Sequence, residues 1–501
     1  VPRTLLFSGF DVLAPEIPED ARVLLPPIPL PELDDFKSAV QRAIEEPLEG
    51  PPLEELLKPT AHVTVVIDDP SLPVPPVSKD CRREMLEVVL RAVSLAGIRA
   101  SRLTLLVANG LSRAWKATEL TDFFGVETTA AYPVACHDAE AAAGLAHLGD
   151  EPQGPVELHR AMVEADLVIH LNVVSAPTLA GLFGAVHGTS GYRTARWLCG
   201  PAAFDGEENP MSPGSAYHRL HERVGEMLAK KVRVFQVSAV LNNELWAPAF
   251  AALLRSDHGV SRPLQIWNAM PAAVRHRAAR LIKASYRPIA ALAGPPSAVA
   301  PRARESFYRQ HEISTEGEAD LLLFGLPDQG PASVRSAQNP ILAAQLALAF
   351  VANLSSGKSL LRKGGVLVFA NPLAPVFDHR VHAPHEEFYE KVLRLEREPA
   401  AIHERFEPSF ASRPEFVSAY QRRFAFHGAH PLLAWYSCTP MRRRAARIIV
   451  AHGDPRACAR LGFTPAADVQ EALEKAHEFL GRKDPDTLVL EMPPPFWVRV
   501  R

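Results

Sequence analysis

Apolar and polar positions fall into two alternating stretches along the 501-residue chain. Between residues 62 and 240, short β-branched runs at 62–66, 103–107, 167–173 and 232–237 alternate with segments of helical period at 81–96, 116–124 and 155–164. Runs that are apolar at nearly every position read as parallel strands covered on both faces, and strands separated by helices predict a doubly wound sheet. A second alternation starts at Asp320 and continues through a helix at 342–354, strands at 366–369 and 447–450, and a helix at 469–480. The expected fold class is α/β, with two Rossmann-like domains, mostly parallel sheets and an interdomain cleft.

Residues 271–293 read as one helix carrying Arg275, Arg277, Arg280 and Lys283 along its polar faces, and Gly294-Pro295-Pro296-Ser297 breaks it. That breaker is the candidate hinge, giving domains at 1–293 and 294–501. The proline-rich, acidic stretch before residue 59 is expected to wrap the surface around one amphipathic helix at 33–44. Segment 387–438, rich in charge and aromatics, is expected to form an inserted helical cap.

Composition narrows the function classes. A net charge of −3 gives no global reason to bind nucleic acid or an anionic membrane, and Arg442-Arg443-Arg444 reads as a solvated segment. Five cysteines, odd in number and without CxxC spacing, argue against a disulfide framework or a structural zinc site and fit a reducing cytoplasm. The longest apolar run, 341–354, is interrupted by Gln345 and Asn353 and falls short of the roughly 20 residues that span a bilayer. No charged-then-apolar leader precedes residue 20. The partner expected is therefore a small molecule, with no nucleic acid and no membrane; oligomeric state is not set by these features.

The most informative segment is the strand Asp166-Leu167-Val168-Ile169-His170-Leu171-Asn172-Val173-Val174, followed by Ala180-Gly181-Leu182-Phe183-Gly184-Ala185-Val186-His187-Gly188. Glycines just past the C-terminal end of a buried parallel strand let backbone approach a ligand. The segment resembles the nickel-pincer lactate racemase family, in which a similar strand leads to Pro-His-x-x-Ala-Gly-Phe-Ser-Gly-Gly-x-Lys. Aligned ungapped from Ala165, the chain keeps the strand, Ala180-Gly181 and Gly184, and places Pro177 at the histidine and His187 at the lysine. Val65-Val66-Ile67-Asp68-Asp69-Pro70-Ser71-Leu72-Pro73 is similar to the family's strand and Ser-Asp-x-Thr-Arg-Pro, with Leu72 at the substrate-binding arginine. Leu105-Leu106-Val107-Ala108-Asn109-Gly110-Leu111-Ser112-Arg113 is similar to its strand ending in Gly-Thr-His-Arg, with Ser112 at the second catalytic histidine. Cys136-His137-Asp138 resembles a His-Asp element that follows. The strands at 319–327 and 363–370 resemble its C-terminal domain, with Leu342 and Gln345 at polar substrate positions.

The resemblance implies a racemase or epimerase acting on a 2-hydroxy acid or sugar acid, with a nickel-pincer nucleotide as cofactor. The side chains that do this chemistry in the family are replaced: serine is a poor base unaided, proline has no titratable group, and His187 has no primary amine for a thioamide link. The cofactor, if used, is then held without a lysine linkage. Candidate catalytic residues are His187, Ser112 and Asp69. Candidate cofactor-binding residues are Gly181, Gly184, His187 and, in a gapped register, Arg193. His187 has the donors for nickel or another metal, as does His379-Arg380-Val381-His382-Ala383-Pro384-His385, although Pro384 prevents one continuous helix through the three histidines.

Asp68, if close to Asp69 and buried with it, raises its pKa. Gly181, Gly184, Gly188 and Gly191 match neither a dinucleotide fingerprint nor a P-loop. His218 and His221 share one face of a helix, taken as a surface face, and Trp246 and Trp267 are read as filling a core or domain interface. Two rival functions stand beside the isomerase: a non-catalytic ligand-binding homologue, and a different metal enzyme built on His187 with His379, His382 and His385.

Overall fold

The computed structural model describes residues 2–206, 208–245, 262–279, 283–334, 336–482, 484–491 and 496–501. The first sheet runs in the order Pro288–Gly294, Arg233–Leu241, Leu167–Val174, Val63–Asp68, Leu103–Ala108, Val134–Cys136, all parallel except the first. Its two central strands are buried at every position, as the unbroken apolar runs require. Val65 and Ile67 pack with Ile169 and Leu171 toward the helix Cys81–Leu95. Val66, Leu106 and Val168 face the opposite layer, built from Phe183–Thr189 and Ala216–Lys231.

The second sheet runs Thr464–Ala466, Arg447–Ala451, Leu361–Ala370, Ala319–Pro327, Leu6–Gly9, Asp11–Leu13, with Thr487–Leu490 also beside Ala319–Pro327 and Arg22–Leu24 outside it. The predicted two-sheet α/β architecture is present. The amino-terminal segment does more than wrap around the helix Phe36–Glu45. Thr487–Leu490 pairs with Leu321 to Phe324 only, so Leu326 and Pro327 remain to be paired by Ser8 and Gly9. Residues 6–24 thus belong to the sheet of the C-terminal half. No helix among the described residues is long and apolar enough to cross a membrane.

Three local expectations change. The stretch at 155–164 is a strand, Gly154–His159, paired antiparallel with Leu145–Glu151, and becomes helical only at Arg160–Val163. Val156 and Leu158, two apart and buried, show the period-2 pattern that decides it. Residues 271–293 hold a helix, Ala272–Ala279, and then the strand Pro288–Gly294. Pro288 lacks the amide that a helix interior needs, and Ala290 to Gly294 pair with Arg233–Leu241 instead. The proposed hinge at 294–297 turns this strand into the helix Pro296–His311. Arg275 pairs with Asp11 at 2.7 Å, while Arg280 and Trp246 lie outside the described residues.

Segment 387–438 is helical at Pro399–Arg405, Glu407–Ala411, Pro414–Arg423 and His430–Ser437. It holds the first sheet's loops through buried polar contacts. The Tyr420 hydroxyl donates to the Gly110 carbonyl at 2.8 Å and accepts from the Ala139 amide at 3.1 Å. The His427 amide donates to the Leu111 carbonyl at 3.0 Å, and buried Glu407 accepts from Arg196 at 2.8 Å and from the Tyr192 hydroxyl.

The glycine-rich segment is a helix rather than a loop, and its glycines serve packing. A Cβ on Gly188 would stand 2.1 Å from the Ala108 carbonyl oxygen, and one on Gly184 would stand 2.5 Å from Asp68 Oδ1. The Gly110 amide donates to the Gly188 carbonyl at 2.9 Å, fixing helix to strand end. Gly188→Ala is expected to lower unfolding free energy by about 2 kcal/mol or more, because backbone and not a flexible side chain must move. Thermal or urea denaturation measures this; an unchanged midpoint contradicts the packing described.

Candidate functional site

Strand ends from the first sheet meet loops of the second at one place. Asp68 and Asp69 end the first central strand, Asn109 and Ser112 follow Leu103–Ala108, and Ser175 and Thr178 follow Leu167–Val174. Opposite them stand Phe7, Pro327, Gln345 and His430. Together they line a cavity of about 750 Å³. The C-terminal ends of parallel strands are where α/β folds gather ligands. Leu346 and Phe350 reach the cavity from a π-helical turn, Leu346–Phe350, inside the helix predicted at 342–354. Gln345 lines the cavity, whereas Leu342 is packed in the core.

Ser112, Asp69, Gly184 and His187, singled out by sequence, share this cavity. Gly181 and Arg193 do not line it. Gly181 faces Ala300, and exposed Arg193 bonds Glu157 at 3.0 Å. The histidines after the Leu361–Ala370 strand do not gather on one point. His379 is exposed and meets Glu386 at 2.7 Å, His382 Nε2 lies 3.3 Å from the Ala332 carbonyl, and His385 Nε2 lies 3.1 Å from His430 Nδ1. The short helix Ala383–Glu387 starts between the second and third and turns them toward different partners.

Two features escaped the sequence reading. First, Asp68 Oδ1 is 2.8 Å from His170 Nε2, while Asp68 Oδ2 accepts from Asn172 Nδ2 at 2.8 Å and the Val173 amide at 3.0 Å. Gln236 and Ser238 extend this network by donating to Asn172. The signal existed: His170 and Asn172, two apart in an apolar strand, must share a face. Second, His187 has Cys199 and His221 beside it. His218 and His221 are buried, contrary to the surface face expected for them.

Residues 9–191 match the lactate racemase N-terminal domain family. Over its whole length the chain is similar in fold to the lactate racemase apoprotein from Thermoanaerobacterium thermosaccharolyticum, with a TM-score of 0.63 at 15% identity and 100% of both chains covered. Residues 9–191 thus match a lactate racemase N-terminal domain, and the likeness over the rest of the chain is one of fold. It is also similar to a protein from Thermotoga maritima, with a TM-score of 0.52 at 13% identity, covering 95% of this chain and 100% of that one. No curated protein matches it.

The lactate racemase family is known to use a nickel cofactor, and the residues lining this cavity do not fit one tethered through lysine. Among the described residues no lysine lines the cavity, and its one arginine, Arg82, is committed elsewhere. The Arg82 guanidinium pairs with Asp80 at 2.6 Å and donates to the carbonyls of Asp68 at 3.2 Å, Asp69 at 2.8 Å and Leu72. An amine for covalent attachment and a free cation for a nucleotide phosphate are both lacking among these side chains.

Adjacent carboxyls at the site are pushed in opposite directions. Burial works to raise Asp68, but the His170 imidazole, the Val173 amide and Asn172 outweigh it and hold it below the usual carboxylate range. For Asp69 burial wins, and its pKa is raised despite bonds from the Ser71 amide at 2.9 Å and Trp115 Nε1 at 3.0 Å. Burial, not its neighbour Asp68, is the main cause. His187 presents its ring to the cavity, yet the surrounding protein desolvates it and holds its imidazole at about 4. His430 is held at about 3 by burial and by His382, His427 and His187.

A carboxyl raised in the folded state above its unfolded value of 3.8 makes the fold progressively less stable as pH rises from that value through the folded pKa. Asp69→Asn is therefore expected to unfold at a higher temperature than the unmodified chain at pH 7. That gap should narrow as pH falls through the folded pKa and close below about 3.8, where Asp69 becomes protonated in both states. Thermal melts across this range test it, and a lower melting temperature for Asp69→Asn at pH 7 is the contrary result.

Proposed function

We propose that this lactate racemase-like chain is a racemase or epimerase for a 2-hydroxy acid whose body is larger and more apolar than that of lactate. The carrying observation is the cavity of about 750 Å³, which Leu72, Val74, Phe183, Phe204 and Phe350 make predominantly apolar around a few polar groups. Leu72 stands where the resemblance places the carboxylate-binding arginine, so selectivity shifts from a bidentate charge clamp to apolar burial.

The acid/base group is Asp69, whose raised pKa brings its proton affinity closer to neutrality. Ser112 and the neutral imidazole of His430 supply donors for substrate oxygens. Asp69 takes the proton from C2 and releases it to solvent while a solvent-derived proton is delivered to the opposite face, which inverts the centre with no net oxidation or reduction. The replaced family bases also favour a second reading, a ligand-binding protein without turnover.

A series of 2-hydroxy acids of rising chain length, incubated with the protein in deuterated water and resolved by chiral chromatography, separates these readings. Inversion with deuterium at C2 is expected, faster for longer chains than for lactate and slowed by about 10²- to 10⁴-fold in Asp69→Asn. Binding without inversion supports the second reading. Neither binding nor inversion for any chain length overturns both.

A further inference from the structure

Three side chains from separate helical segments meet at one wall of the cavity. His187 lies on Phe183–Thr189, Cys199 caps the C-terminus of Tyr192–Leu198, and His221 lies on Ala216–Lys231. Their nitrogen and sulfur atoms all lie within 4.8 Å of one another. His187 Nδ1 is 3.3 Å from His221 Nε2 and 3.8 Å from Cys199 Sγ. A tetrahedral ion with bonds of about 2.05 Å to nitrogen and about 2.3 Å to sulfur places two nitrogens about 3.3 Å apart and nitrogen and sulfur about 3.6 Å apart. Two of the three spacings are already close to that template.

The surroundings orient the donors. His221 Nδ1 is 2.9 Å from the Tyr217 carbonyl, so it carries the proton and leaves the Nε2 lone pair directed inward. The Tyr217 ring stands edge-on to His221 at 4.7 Å. Phe183 stacks 5.8 Å from His187 and lies 4.3 Å from His221, holding both rings. Cys199 and His221 are buried, while His187 and Cys199 both reach the cavity wall.

We infer that His187, Cys199 and His221 bind a divalent transition metal of the zinc class, with a fourth coordination position open to the cavity. Two imidazoles and a thiolate suit zinc and its cobalt substitute, and are unsuited to magnesium or calcium. Three protein ligands with one open position is the arrangement of reactive rather than structural zinc sites. Binding releases the Cys199 thiol proton to solvent and breaks no other bond. A substrate carboxylate or hydroxyl oxygen occupies the fourth position, where the ion does the work of the missing arginine. That substrate role rests on the proposed function; metal binding itself does not.

The test is titration of tag-free, chelator-treated full-length protein with cobalt(II), followed by zinc(II). About one equivalent of cobalt should bind, giving a thiolate charge-transfer band and tetrahedral visible bands that zinc abolishes. Cys199→Ser should lose the charge-transfer band, and Cys199→Ser and His221→Gln should each weaken binding by about tenfold or more. Cys458→Ser, outside the cluster, should leave both unchanged. An unmodified protein without the band overturns the site however the variants fold, leaving the 3.3 Å contact as a hydrogen bond between imidazoles. Equal binding by Cys199→Ser overturns it too. Cobalt binding without inversion of any hydroxy acid keeps this site and removes its substrate role, and the reverse result keeps the proposed function and removes the site.

Discussion

Gly188 rests against the Ala108 carbonyl with no room for a side chain, and its own carbonyl accepts the Gly110 amide at 2.9 Å. This contact sets the height of Phe183–Thr189 above the strand ends. Gly184, one turn earlier, brings the same helix down on the Asp68 carboxylate. Helix and strand can approach this closely only where Cβ atoms are missing. The placement of His187 on the cavity that Ser112 and Asp69 also line follows from that approach, since the ring is carried by the residue just before Gly188.

Beneath the contact lies a polar layer that gives the two adjacent carboxyls different work. Asp68 is enclosed by His170, Asn172 and the Val173 amide, which keep it ionised and fixed. Its charge is part of the scaffold, and Gln236 and Ser238 complete the layer. Asp69 is half-buried with fewer compensating bonds and lines the cavity. The peptide between them is held by the Arg82 guanidinium, which takes both carbonyls. One buried arginine thus supports the loop, and it is unavailable to a ligand for the same reason.

The chain keeps the backbone frame of lactate racemase-like proteins while changing what projects from it. Where the resemblance places a lysine, an arginine and two histidines, this chain has His187, Leu72, Ser112 and Pro177. Pro177 opens a buried 3₁₀ turn, so the strand exit remains shaped even where its chemistry is gone. The helical segment from 399 to 437 closes on the first half through Tyr420, His427 and Glu407. These contacts bury polar groups that need partners, which ties the position of His430 to the loop carrying Ser112.

Much of the fold was legible in the chain itself. Unbroken β-branched runs specified the central strands, because a strand covered on both faces has no polar side to show. The family resemblance singled out Asp69, Ser112, Gly184 and His187, and these four line one cavity. Short segments were less legible: 155–164 and 271–293 have apolar spacings that fit a helix until cross-strand pairing selects the extended form. Side-chain period states which residues share a face, but not what that face meets. His218 and His221 share a helix face in either reading, and only packing against Phe183 buried it. Cys199 came beside His187 and His221 because separate segments were folded onto one another, a proximity that no spacing along the chain encodes.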